Sequence, residues 1–342
     1  MEKKSILIYI PCHTDFDLAL TQGEEIRRQI VEINESNLAC LFSKFSLILS
    51  VNDFEPSLAQ IQSAQNIFDE VLLYGKTLLA DYNLALGFIA SLRVDSDYLW
   101  ILSTNDTLKN NALSLVSMSF ESNMECDLLV FNALGLNGTH TERNITNPPK
   151  AGYWYGLISG VVYKTFKLAP YFNSALFLAW TGWSHLAVLQ SAMDGEGGIK
   201  VVTIPDVEVF DQGRRDTQLD AQKYMHSYFG EIVIRTLFSP DKKSVKLTIR
   251  NFIKGNIFIH HLYSKRDVNT KSYPIAVAGH YGWWNRIIAE SMIKESSYSS
   301  NLIYRIAKII PFDNLKKKKL IFSFYLKLKR NKSISSNLSK KL

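Results

Sequence analysis

Cysteine is scarce in this chain. Its three cysteines, Cys12, Cys40 and Cys126, are odd in number and form no C-x-x-C pair, which excludes a disulfide framework and a clustered zinc site as the basis of the fold. A reducing compartment suits them. No stretch reaches the roughly 18 uninterrupted apolar residues that a membrane-spanning helix needs. The opening Met1-Glu2-Lys3-Lys4 passes directly into Ile6-Leu7-Ile8-Tyr9-Ile10 without the pattern of a secretion signal. The expectation is therefore a soluble or peripheral protein. Also missing are a G-x-G-x-x-G turn, a P-loop and a G-x-S-x-G elbow, so dinucleotide, ATPase and serine-hydrolase chemistry are disfavoured.

Acidic residues are nearly absent from one region only. Residues 301–342 hold 12 lysines and arginines against the single acid Asp313, a surplus of 11. The whole chain carries a net +7, so the first 300 residues are slightly acidic. A nucleic-acid-binding surface would spread basic residues over the folded body, and this chain confines them to a tail. In that tail Lys316 to Lys319, Lys327, Lys329 and Arg330 alternate with Leu320-Ile321-Phe322 and Phe324-Tyr325-Leu326. Lysines contribute about 1 kcal/mol each near an anionic leaflet, and the aromatic and aliphatic groups between them enter the headgroup boundary. The expected partner is an anionic membrane surface, with no nucleic acid, and the expected location is the cytoplasmic face of the cell membrane. A solubilising charge run is the plainer alternative.

What is present in the first 215 residues is an alternation of strands and helices. Apolar runs at 6–10, 45–51, 70–74 and 97–102 read as strands, and 17–36, 57–67 and 80–93 carry helical spacing. Strands alternating with helices imply right-handed crossovers and a mainly parallel α/β sheet with its strand ends on one side. Three of those ends are polar: Pro11-Cys12-His13-Thr14-Asp15, Asn52-Asp53 and Ser103-Thr104-Asn105-Asp106. Ligands in open α/β sheets bind at such carboxyl ends.

Over residues 1 to about 215 these features resemble the GT-A nucleotide-diphosphosugar fold of family 2 glycosyltransferases. Pro11, His13 and Asp15 stand where that family has its opening Pro-x-Tyr-Asn, and Asn52-Asp53 where it has an acidic turn at the base and ribose. Gly75 and Asn83 match its pocket-lining Gly and Asn. Asn105-Asp106 occupies the place of its acidic strand-end motif, thinned here from a run of acids to Thr-Asn-Asp. Ser159-Gly160 resembles its acceptor-side Ser-Gly turn. The implied organisation is a GT-A-like domain at 1–215, a helical extension at 216–300 and the basic tail at 301–342.

The resemblance implies sugar transfer from a nucleotide-sugar donor to a lipid-linked or growing surface oligosaccharide, of the O-antigen or capsule type, inverting and assisted by a divalent cation such as Mg2+ or Mn2+. Asp106 is the expected metal ligand and Asn105 a neutral oxygen beside it. A single carboxylate holds a cation weakly, so the nucleotide phosphates would complete the site. The same two residues would also suit a helix cap near Leu108, and Asn52-Asp53 a turn before Pro56.

For the general base, the resemblance points to the helix start about 25 residues beyond Ser159-Gly160, where this chain has His185 in place of Glu-Asp. A neutral imidazole takes a proton near pH 7, although a histidine at a helix start also serves packing. Trp180 and Trp183 would stack on an acceptor sugar. Asp194, Glu196 and Asp211 are reserve carboxylates, and Arg214-Arg215 at Gly213 would clamp a diphosphate. Helices are expected at 217–238, 244–263 and 281–295. Two other readings stand beside the transferase: a nucleotidyl transferase, which should show a glycine-rich N-terminal loop, and a catalytically silent GT-A-like scaffold at the membrane.

Overall fold

The computed structural model describes residues 3–211, apart from 14, 37–39, 76–79, 132–137, 143–157, 195–197 and 205–206, together with residues 230, 233, 234 and 237. The chain divides into two compact units, Met1–Gln218 with His226–Asp241, and Leu219–Met225 with Lys242–Leu342. All described residues belong to the first unit. Arg214, Arg215, Glu196, the basic tail and the expected C-terminal helices lie outside the described residues, except that Gly230, Val233, Ile234 and Leu237 are helical.

The elements follow the expected alternation: β1 (Lys4–Cys12), α1 (Phe16–Glu35), β2 (Phe42–Val51), α2 (Leu58–Ile67), β3 (Glu70–Leu73), α3 (Ala80–Arg93) and β4 (Tyr98–Ile101). Then come β5 (Thr107–Leu108), α4 (Ala112–Ser122), β6 (Leu128–Val130), β7 (Gly138–Glu142), β8 (Val161–Lys164), α5 (Thr165–Leu168), α6 (Asn173–Phe177), α7 (Ser184–Asp194), β9 (Ile199–Thr203) and β10 (Phe210–Asp211). Eight strands form one sheet in the order β3-β2-β1-β4-β8-β6-β9-β7. The pairs from β3 through β4 are parallel, β8 runs against both β4 and β6, and β7 runs against β9. The mostly parallel α/β sheet is as the sequence implies.

Side chains alternate across this sheet with period two. Ile6, Ile8 and Ile10 of β1 join Tyr98 and Trp100 of β4 on one face, under Ala19, Ile26 and Ile30 of α1 and Val116 and Phe120 of α4. Leu7 and Tyr9 join Leu99 and Ile101 on the other, under Phe88 of α3 and Leu186 and Leu189 of α7. Burial on both faces explains why β4 reads as a continuous apolar run rather than an alternating one.

Two caps set helix starts beside the sheet edge. Asp15 accepts the Leu18 N–H at 3.1 Å and caps α1, while Ser57 and Gln60 form a reciprocal capping box on α2. One expectation fails here. Asn105-Asp106 does not cap a helix at Leu108, because Thr107–Leu108 pairs antiparallel with Phe210–Asp211 and α4 starts only at Ala112.

Candidate functional site

Parallel pairing gathers the carboxyl ends of β1, β2, β3 and β4 on one edge. Cys12 is in register with Val51 and Val51 with Leu73, while the Leu102 N–H reaches the Tyr9 carbonyl at 2.9 Å. The residues just past these ends, His13, Asn52-Asp53, Gly75 and the 103–106 turn, therefore share that edge. β8 is antiparallel, so its beginning, and the Ser159-Gly160 turn before it, arrive at the same edge. Of the sequence-predicted donor residues, those that are described lie at or beneath this edge, in two layers; Arg214 and Arg215 lie outside the described residues.

The lower layer is a buried hydrogen-bond network. Asn83 of α3 is 0% exposed; its Nδ2 donates to the Ser50 carbonyl at 2.9 Å and to Asn52 Oδ1 at 2.6 Å. Its Oδ1 accepts the Tyr9 hydroxyl at 2.9 Å and the Ser50 hydroxyl at 2.5 Å. Burial holds the Tyr9 phenol well above its usual pKa, so it stays a donor. Asn52 is itself fully buried, and its N–H is bonded to the Cys12 carbonyl at 2.9 Å. Asn83 is thus a buried joint bonded to β1 and β2, and Asn52 is tied to it and to the end of β1.

Asp53 stands above this layer with an exposed side chain and a left-handed backbone, φ 71°. Its N–H donates to the Gly75 carbonyl at 2.7 Å, tying the ends of β2 and β3 together. Gly75 is also left-handed, at φ 59°, with open space where a Cβ would stand. Conformation rather than crowding favours glycine there. Asp15 is exposed but already employed as the α1 cap, and His13 and Pro11 are half-buried at the end of β1.

The upper layer is the turn that carries Asp106. The Asp106 N–H closes on the Ser103 carbonyl at 3.2 Å. Ser159 Oγ donates to Asp106 Oδ2 at 2.6 Å and accepts the Ser103 N–H at 2.9 Å. Trp100, fully buried on β4, donates its indole N–H to the Ser159 carbonyl at 2.8 Å, and the Phe131 N–H takes the Gly160 carbonyl at 2.7 Å. Ser159 and Gly160 are 0% exposed. The pair expected to contact an acceptor is thus buried in this arrangement, and the Ser159 hydroxyl bonds Asp106.

From the opposite side α1 supplies a residue that the motif reading missed. Gln22 Nε2 donates to the Ser103 carbonyl at 3.2 Å and the Asp106 carbonyl at 3.1 Å. Two carbonyl partners dictate that the amide nitrogen faces the turn. Seven residues on, Gln29 donates to the Lys109 carbonyl at 2.6 Å and accepts the Leu113 N–H at 3.0 Å. The available signal was a pair of glutamines at i and i+7 inside the buried stripe Ala19, Gly23, Ile26, Ile30, Ile33. Gln22 Oε1 and Thr104 Oγ1 are buried without a hydrogen-bond partner.

His185 lies elsewhere in character. It is 2% exposed at the start of α7, its ring 5.5 Å from that of Trp183, and neither ring nitrogen has a hydrogen-bond partner. Burial pushes its pKa down to about 3, so it is a neutral imidazole inside the helical layer and is not presented to the crevice. Of the expected acceptor aromatics, Trp180 is half-exposed and Trp183 packs partly against the core. Asp211 is ion-paired with Lys109 at 2.5 Å across the β5–β10 ladder, beside an open groove of about 930 Å³. Of Asp194 only the helical backbone is described.

The described residues supply few ligands for a cation. Among them no three His, Cys, Asp or Glu side chains converge, and Asp106 is the one acid of its turn, with one oxygen already accepting from Ser159. These residues do not build a complete divalent-cation site by themselves.

No family model and no curated protein sequence matches the chain. Solved structures do. The crystal structure of residues 1–349 of Staphylococcus aureus TarS matches with a TM-score of 0.51 at 11% identity, covering 89% of this chain and 87% of that one. A longer TarS structure gives 0.48 at 11% identity, over 86% of this chain and 56% of that chain. TarS 1–349 in complex with UDP-GlcNAc gives 0.44 at 9% identity, over 84% and 90%. The fold of this chain is thus similar to that of TarS, an α/β architecture on a mostly parallel sheet.

Proposed function

We propose that this protein is a glycosyltransferase that takes a sugar from a nucleotide-sugar donor and passes it to a lipid-linked or growing surface oligosaccharide with inversion. The observation that carries this reading is the Asp106 carboxylate, held by Ser159 at the carboxyl edge where β1, β2 and β4 deliver their polar ends. The TarS fold supports it, and TarS has been crystallised with UDP-GlcNAc.

In this reading the donor diphosphate lies across the edge between Asp53 and the 103–106 turn. The acceptor hydroxyl oxygen bonds to the anomeric carbon as the bond from that carbon to the diphosphate breaks; the bonding pair leaves on the diphosphate oxygen and the hydroxyl proton is released to solvent. A divalent cation bound there would act as a Lewis acid on the leaving diphosphate, with Asp106 as its one protein carboxylate and phosphate oxygens as further ligands. Asp106 and the backbone around it orient the leaving group. The basic tail brings the protein to an anionic cytoplasmic leaflet, and among the described residues no helix is long and apolar enough to cross a membrane.

Thermal stabilisation by a panel of UDP-, GDP-, dTDP- and CMP-sugars, with and without Mg2+ or Mn2+, tests the donor. A ligand at 100 times its dissociation constant adds about 2.7 kcal/mol to stability. No stabilisation by any member refutes the reading. Stabilisation without transfer to any lipid-linked acceptor would favour the silent scaffold, which the thinned acidic motif keeps as a second reading. Deleting residues after 312 should release the protein from anionic vesicles in a salt-sensitive way and leave donor binding intact. Equal sedimentation of the two forms removes the tail as the anchor.

A further inference from the structure

We infer that Gln22 and Ser159 act as a two-sided clamp that positions Asp106. This rests on the donor-site reading of the carboxyl edge. Within the 103–106 turn the Asp106 N–H bonds the Ser103 carbonyl at 3.2 Å and the Asn105 N–H bonds the Ser103 hydroxyl at 3.3 Å. Ser103 and Asp106 are also bonded by residues from two distant segments. Ser159 supplies one side, bonding both the Asp106 carboxylate and the Ser103 N–H through a single oxygen. Gln22 supplies the other, spanning the carbonyls of the same two residues through one amide nitrogen.

The two sides come from distant parts of the chain, and each is anchored. Ser159 is fixed by the Trp100 indole on its carbonyl and by β8 pairing with β4. Gln22 stands on α1, 6% exposed, beside Gly23, where any Cβ would come within 2.5 Å of the Phe68 ring. Both partners therefore stand on packed elements, and the turn is bonded to each of them. A displacement of about 1 Å in a reacting or binding group costs on the order of 10²-fold in rate. The clamp is thus a determinant of how Asp106 meets a diphosphate, and Gln22 and Ser159 act through Asp106 as positioning residues.

Gln29 provides a matched control. It is a second buried glutamine on the same helix that also bonds backbone groups, but it holds Lys109 and Leu113, and the Glu25 carboxylate at 2.7 Å, instead of Asp106. The experiment compares Gln22→Met, Ser159→Ala and Gln29→Met in the full chain. Amide hydrogen exchange is followed over residues 103–106, together with melting temperature and binding of UDP-GlcNAc. All three variants should melt lower. Gln22→Met and Ser159→Ala should speed exchange in the turn about tenfold and weaken UDP-GlcNAc binding; Gln29→Met should do neither. Unchanged exchange in both clamp variants, or equal weakening by Gln29→Met, overturns the clamp. If wild-type protein binds no nucleotide sugar, the donor reading falls, and the exchange measurement still decides the clamp. Should Gln22→Met fail to fold, Ser159→Ala carries the same test from the opposite side.

Discussion

The starts of α3 and α7 pack on the same face of the sheet, and each buries a polar side chain that the sequence marks as functional. Asn83 on α3 is 0% exposed and His185 on α7 is 2% exposed. Every side-chain donor and acceptor type of Asn83 is matched, by Tyr9, Ser50 and Asn52. His185 has no hydrogen bond at either nitrogen. Burial alone therefore does not reveal what a polar residue is for. Where partners converge, the residue is a structural joint beneath the site. Where they are missing, its polarity is a cost to the fold of about 1–3 kcal/mol.

The contrast is broken most directly at the joint. Asn83→Leu should remove four buried hydrogen bonds and cost about 3–5 kcal/mol in denaturant unfolding; a loss below 1 kcal/mol would mean the network contributes little. Next in size is Asp106→Asn. The amide oxygen still accepts from Ser159, so the fold should persist, while donor binding falls about 10²-fold with the charge. Calorimetric titration with the donor checks this, and undiminished affinity removes Asp106 from the site.

His185 tests the other side of the comparison through pH. Its folded pKa of about 3 lies below the ordinary 6.5, so as pH falls the unfolded chain binds the proton first. The contribution to stability is complete above about pH 6.5. It is lost progressively as pH falls below that toward the depressed folded value. His185→Leu should flatten that acid limb and retain turnover at pH 7. Lost turnover at an unchanged melting temperature would instead restore the general-base role.

The smallest expected effect is at Asp15. Asp15→Ala should cost about 1 kcal/mol as a lost helix cap and leave donor affinity unchanged. A clear fall in affinity would return Asp15 to the donor site.

The strands and helices up to β4 were legible because apolar spacing alone separates period two from 3.6, and the polar strand ends stood out against it. The 103–106 turn was legible as a site but not as a structure. Its helix-cap alternative failed because Thr107–Leu108 finds a strand partner about 100 residues away. Gln22 was invisible as a motif, since its partners are backbone carbonyls that carry no side-chain signature. Ser159 was visible, but not its bond to Asp106, because that depends on β8 running antiparallel to β4.

Sequence by itself determined the alternating α/β pattern, the gathering of polar strand ends and the separation of a basic tail from a slightly acidic body. These follow from local spacing and composition, which need no knowledge of distant partners. Only the tertiary structure decided which polar residues face solvent and which are consumed as joints. It set Asn83 under the site, locked Asp106 between Gln22 and Ser159, and enclosed His185 without a partner. Hydrogen-bond satisfaction is a property of pairs brought together by folding, and no single residue in the chain encodes it.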